Sequence, residues 1–206
     1  MTSALSTTPF IHPSIAAVTP LANAVAPRRS HWTPAELARL TQQLATGAPG
    51  TLRGLATHDP VHRWYTRLAL TDEVEVWLIA WAPGQGTKPH DHGGASGALT
   101  VLDGTLTETY RDGDRAAQRH AVGAGQGSEF GPRRVHTVVN AGPVNATSVQ
   151  AYSPPLLPMR GAALDFPGGL NDALVSDRPL SAEPDHNRPS HNEPTTDGYS
   201  GPVGAA

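Results

Sequence analysis

Two histidines separated by one residue, His90-Asp91-His92, are the first feature of this sequence that could do chemistry. On an extended segment, residues i and i+2 point to the same face, so both imidazoles project together and Asp91 faces away. Two neutral imidazoles aimed inward are costly unless their ring nitrogens find a partner. Either they form a hydrogen-bonded pair of core histidines or they bind a metal ion. The chain has ten histidines and no cysteine, which excludes a disulfide framework, a thiolate metal site, an iron–sulfur cluster and a catalytic thiol. Any metal must then sit on His and carboxylate ligands, and neutral imidazoles suit Zn, Fe, Cu and Ni alike.

The elements that would position these histidines read as strands. Val74, Val76, Leu78 and Ala80 alternate with Glu75, Trp77, Ile79 and Trp81, and short apolar runs follow at 98–102, 106–110, 135–139 and 145–152. Gly84, Gly86, Asp103-Gly104, Asp112-Gly113, the segment 123–127 and Gly142-Pro143 punctuate them. Many short strands between turn signals predict an antiparallel sandwich or small barrel. Ahead of the strands, Thr33-Pro34-Ala35-Glu36 carries an N-cap hydroxyl, a proline at the first helical position and a glutamate three residues after the cap. Leu37, Leu40 and Leu44 then repeat at helical spacing up to Gly47. A second short helix or turn is expected around Gly50 to Ala56. The four tryptophans read as packing residues, and His58, His62 and His120 as surface residues or neighbours of the site.

The 206 residues divide into one domain and two tails. Residues 161–206 are rich in Gly, Pro, Asp, Asn and Ser and cannot bury enough apolar area to offset the entropy of ordering, so a largely disordered tail is expected there. Residues 1–28 read as a flexible segment from which Ile11, Ile15 and Leu21 could dock on the domain at 29–160. The formal net charge is -3, with 16% charged residues and no basic block, which argues against nucleic acid and anionic lipid as partners. No basic residue precedes Arg28, Arg28-Arg29 is not followed by an apolar stretch, and no apolar run approaches the ~20 residues of a membrane span. A cytoplasmic monomer is the expectation.

Gly84 precedes His90, Gly104 closes the hairpin after His92, and His136 lies beyond the Gly-rich stretch 123–131 and before Asn140. This arrangement resembles the two motifs of the cupin superfamily, small double-stranded β-barrels whose interior holds a metal on histidines from separated strands. The resemblance implies a mainly β cupin barrel, jelly-roll-like, with a short N-terminal helical segment and with His90, His92 and His136 as metal ligands. The Glu that cupins usually carry five residues after the second His is Gly97 here, and Gly131 and Arg133 stand where Pro and Gly are usual. The implied ligand set is three histidines with no carboxylate.

Three segments narrow the likeness: Trp64-Tyr65-Thr66-Arg67, the stretch 89–110 around the HxH pair, and Ser148-Val149-Gln150-Ala151-Tyr152-Ser153-Pro154-Pro155. Together they resemble the cysteine dioxygenase family, over about Tyr65 to Met159. That family oxidises a thiol to a sulfinic acid with both atoms of O2 on Fe(II), one per chain. The resemblance implies that Arg67 binds the substrate carboxylate, which favours L-cysteine, since 3-mercaptopropionate dioxygenases typically have Gln there. An ion pair with Glu73 or Glu75, or a solvated strand arginine, is the alternative for Arg67. Tyr152 matches the active-site tyrosine, with an ordinary barrel aromatic as its alternative, and Tyr65 could approach the substrate from the other side. Ser148 and Gln150 match a Ser-x-His-x-Tyr relay whose middle residue, here glutamine, cannot titrate near neutral pH. Relatives of the mammalian type carry at Gly97 a cysteine linked to the tyrosine; here that link is impossible, and Gly97 is expected to leave a small space beside the metal. Leu156 to Met159 is expected to seal the barrel mouth. The implied partners are a small thiol and O2. Two alternatives stay open: a dioxygenase for 3-mercaptopropionate or another small thiol carboxylate, and a metal-binding cupin without turnover.

Overall fold

The computed structural model describes residues 9–25 and 32–156. The first long element is the helix with the start signal, α3 (Pro34–Gly47), following the short β1 (Phe10–Ile11), α1 (Pro13–Ala16) and α2 (Thr19–Ala24). Its capping box is complete. Thr33 Oγ1 accepts the Glu36 N–H at 3.3 Å, and Glu36 Oε2 accepts the Thr33 N–H at 2.8 Å. Leu37, Leu40 and Leu44 on one face are fully buried. The expected second helix is α4 (Pro49–Leu55).

Eight further strands form two antiparallel sheets: β2 (Trp64–Leu70), β3 (Glu75–Trp81), β4 (Ser96–Asp103), β5 (Thr105–Asp112), β6 (Gln118–Gly123), β7 (Gly127–Phe130), β8 (Arg134–Val139) and β9 (Ala146–Ser153). One sheet runs β1-β2-β3-β9-β4-β7, the other β6-β5-β8. The chain between β3 and β4 lines up beside β8 through bridges Gly86↔Val139 and His90↔His136. The fold is the mainly β cupin double-stranded barrel. The strands β6 and β7 are not among the expected runs, and β7 lies within the Gly-rich stretch 123–131; they pair with β5 and β4, because partner strands satisfy the backbone there.

The larger sheet has two differently used faces. Val76, Leu78, Val149 and Ala151 join Leu37, Leu40, Leu44 and Leu52 in an apolar layer under the helices. Their neighbours in sequence, Trp77, Ile79, Trp81 and Tyr152, face the barrel interior with Leu106, Val122 and Val138 of the second sheet. Ile15, Leu21 and Val25 are buried in the helix-side layer, and β1 pairs with β2, so the described part of the segment read as flexible docks on the domain. The tail at 161–206 and residues 157–159 of the expected mouth seal lie outside the described residues. Among the described residues no helix is long and apolar enough to cross a membrane.

Candidate metal centre

The strand rule places His90 and His92 on one side of the segment beside β8, and the bridge to His136 brings the third imidazole opposite them. The three ring centroids form a nearly equilateral triangle with sides of 5.0, 4.8 and 4.8 Å. One ligand nitrogen from each lies within 4.8 Å of the others, and all three residues are buried. His90 Nδ1 donates to the Lys88 carbonyl at 2.8 Å, which leaves its Nε2 with the lone pair. His136 Nδ1 donates to Glu108 Oε1 at 2.7 Å, so Nε2 is its ring nitrogen available to a metal. Both nitrogens of His92 are buried and have no hydrogen-bond partner among the described residues. Burial, then the neighbouring imidazoles, pull the pKa of His92 well below its usual value and that of His90 down to about 3, so both stay neutral. Neutral imidazoles with converging lone pairs and one orphaned ring are what a metal ion would satisfy; left bare, the arrangement costs on the order of 1–3 kcal/mol per unpaired group. The donor set fits a divalent transition metal.

Glu108 is the residue of this centre that the sequence did not single out. It sits on β5 facing β8, fully buried, with Arg134 Nη1 at 3.1 Å and His120 Nε2 at 3.1 Å. Burial alone would push its carboxyl up, but the His136 hydrogen bond and the charges around it hold the pKa down to about 2. An ionised Glu108 therefore fixes the tautomer and ring orientation of His136, as a carboxylate behind a metal-binding histidine does. The available signal was an acid at an inward position of an alternating strand, Leu106-Thr107-Glu108-Thr109-Tyr110.

The relay residues come together on β9. Trp81 Nε1 donates to Ser148 Oγ at 3.0 Å, Gln150 Nε2 donates to the same oxygen at 3.3 Å, and the Tyr152 hydroxyl donates to Gln150 Oε1. Tyr152 stacks on His92 with ring centroids 5.1 Å apart. Burial, with the Glu75 charge adding, raises its phenol, which stays protonated.

Two further positions behave differently from the simplest reading. Arg67 is ion-paired through Nε with Glu75 Oε1 at 3.0 Å and lies over Trp77 at 4.7 Å, so the Glu75 alternative is realised in this state. Tyr65 meets the same indole edge-on at 5.7 Å. The small space expected at Gly97 does not exist: a Cβ there would come within 2.4 Å of the Phe130 ring and 3.0 Å of Tyr152. Gly97 pairs directly with both residues, and the Phe130 side chain of β7 fills the gap.

The sequence profile of the family described as cysteine dioxygenase type I matches residues 35–161. No curated protein matches the chain. Among solved structures, the TT1209 protein of Thermus thermophilus is 22% identical with a TM-score of 0.44, covering 50% of this chain and 93% of its own. A double-stranded β-helix protein of Klebsiella pneumoniae is 19% identical with a TM-score of 0.45, covering 55% of this chain and 95% of its own. An oxalate oxidase in complex with the substrate analogue glycolate is 20% identical with a TM-score of 0.42, covering 47% of this chain and 53% of its own.

Proposed function

Because the chain belongs to the cysteine dioxygenase type I family, we propose that it is an Fe(II)-dependent thiol dioxygenase acting on L-cysteine, with the balance RS⁻ + O2 → RSO2⁻. The observation that carries this reading is the three-histidine cluster with no carboxylate among its ligands. His90, His92 and His136 would hold the ion, and three neutral ligands leave its full +2 charge to favour an anionic thiolate over the thiol. Bound iron would supply the one-electron chemistry that lets O2 react with the thiolate. The protein supplies placement and proton control. Glu108 and the Lys88 carbonyl orient two of the imidazoles, and Tyr152, stacked on His92, would serve as the active-site tyrosine that the family resemblance implies. With its proton donated to Gln150, that hydroxyl keeps its lone pairs to accept a hydrogen bond, and Gln150 orients it without taking up a proton at neutral pH. A substrate carboxylate would be held by the guanidinium of Arg67 on β2, as the family resemblance implies.

Protein loaded anaerobically with Fe(II), then given L-cysteine and air, is expected to consume one O2 per thiol and release cysteine sulfinate, read by an oxygen electrode and mass detection. Turnover of 3-mercaptopropionate in preference to cysteine would change the substrate and keep the reaction. Iron binding without oxygen uptake on any small thiol would leave a metal-binding cupin.

A further inference from the structure

The three imidazoles of the metal centre are not held in the same way. His90 is fixed by the bond from its Nδ1 to the Lys88 carbonyl, and His136 by the bond from its Nδ1 to Glu108. Such a bond sets both the tautomer and the plane of a ligand ring. Among the described residues neither nitrogen of His92 has a hydrogen-bond partner, although the ring is buried. What meets it instead is a pair of aromatic rings. Tyr152 lies 5.1 Å from the imidazole, centroid to centroid, at an interplanar angle of 27°, and Phe130 lies at 4.7 Å and 30°. The two aromatic rings are themselves inclined by 57° with centroids 6.4 Å apart, so the imidazole rests in a V-shaped seat and makes about half of that angle with each wall.

The seat is built by one row of the larger sheet. Gly97 on β4 pairs with Tyr152 of β9 on one side and with Phe130 of β7 on the other. A side chain in the middle of that row would stand against both rings: a Cβ on Gly97 would run into the edge of the Phe130 ring and come within 3.0 Å of Tyr152. Phe130 is buried and also meets His136 edge-on, with centroids 5.2 Å apart. Its ring has the Arg134 guanidinium 5.4 Å from its centroid, and that guanidinium is itself fixed by Glu108 and Asp112. Held between a fixed cation and the bare backbone of Gly97, Phe130 can impose its own orientation on His92.

We propose that Phe130 is a positioning residue that sets the ring plane of His92, and that glycine at position 97 is what admits it. His90 and His136 are then oriented by hydrogen bonds, and His92 by aromatic contact. This rests on the reading of the three histidines as metal ligands, and it does not depend on which thiol the site takes. A ring held by stacking keeps its plane but has no bonded partner to choose between Nδ1 and Nε2. Loss of the Phe130 wall therefore frees the imidazole to turn and exchange the two nitrogens.

The test follows the histidine rings of the full chain by long-range proton–nitrogen NMR spectra, metal-free and loaded with Zn(II), a metal that three imidazoles hold without redox chemistry. Zinc affinity is read by chelator competition and folding by thermal melts. The native protein is expected to show one set of His92 ring signals in both forms. Phe130→Met keeps an apolar side chain of similar bulk and removes the ring. It should double or broaden the His92 signals, leave those of His90 and His136 single and sharp, and weaken zinc binding by about 2- to 10-fold, the factor that corresponds to one aromatic pair. Gly97→Ala should give the same signature by displacing the ring. In the double variant the two losses should not add, because both act through Phe130. Native-like His92 signals in Phe130→Met, equal broadening at all three histidines, or additive losses in the double variant overturn the proposal. If Phe130→Met does not fold, Gly97→Ala decides by the same spectra, and two sets of His92 signals in the native protein overturn the proposal without any variant. Native protein that takes up no zinc defeats the metal reading, and the His92 signals of the metal-free proteins still decide on Phe130.

Discussion

The two faces of the larger sheet are built from the same strands and do opposite work. Under the helices, β3 and β9 present Val76, Leu78, Val149 and Ala151, an apolar layer that only has to exclude water. Toward the barrel, the alternate residues of those strands carry Glu75, Trp77, Trp81, Ser148, Gln150 and Tyr152. Every polar group there must find a partner, and most do, through the Trp81–Ser148–Gln150–Tyr152 chain and the Arg67–Glu75 pair. Among the described residues Trp77 Nε1 on that face has no hydrogen-bond partner, and the same is true elsewhere in the structure of both nitrogens of His92, the Nε of Arg63 and Thr137 Oγ1. One face spends its residues on stability, and the other lies toward a three-histidine cluster that could hold a metal ion.

That contrast can be broken from either side. The largest effect is expected for His136→Ala, which should abolish iron retention after gel filtration and with it oxygen uptake; native iron content in this variant would remove His136 from the ligand set. On the other face, Leu40→Ala should lower stability to denaturant by about 2–5 kcal/mol, as for a leucine fully buried against a sheet, while iron per folded chain stays at the native level. Loss of iron alongside stability would mean that the faces are not separable. Glu108→Gln should weaken metal affinity by roughly 10- to 100-fold with the fold retained, because the amide cannot hold the His136 tautomer with a full charge; equal affinity in a competitive chelator titration would reduce Glu108 to a packing role.

The smallest effect is a slope. Burial raises the carboxyl pKa of Glu75 in the fold despite the Leu156 N–H and Arg67 opposing it. Just above the usual carboxyl range, the native chain then holds a proton that the unfolded chain has released. Its contribution to stability is present at lower pH and is lost as pH rises through the raised value. Glu75→Gln should flatten this part of the curve of denaturation midpoint against pH, and a curve parallel to the native one would show that Glu75 is not the titrating group.

Local signals in the sequence determined a good deal here. The capping box and leucine spacing set α3, because both act within a turn or two of chain. Alternation and glycine punctuation set most of the strands, and the period of two put His90 and His92 on one side. The absence of cysteine left imidazole and carboxylate as the only metal ligands and made a thioether to Tyr152 impossible. What the sequence could not decide is what lies across from what. His136 reaches the pair only through the bridge beside β8, and Glu108 becomes its anchor only because β5 and β8 are neighbours. Gly97 looked like a gap until β7 placed Phe130 against it. Arg63 and Arg67 look equivalent in the chain, two cations four residues apart, one just before β2 and one within it. Tertiary packing set Glu75 beside Arg67 and, among the described residues, gave Arg63 no carboxylate partner, because a buried charge is defined by its surroundings and those are assembled from distant parts of the chain.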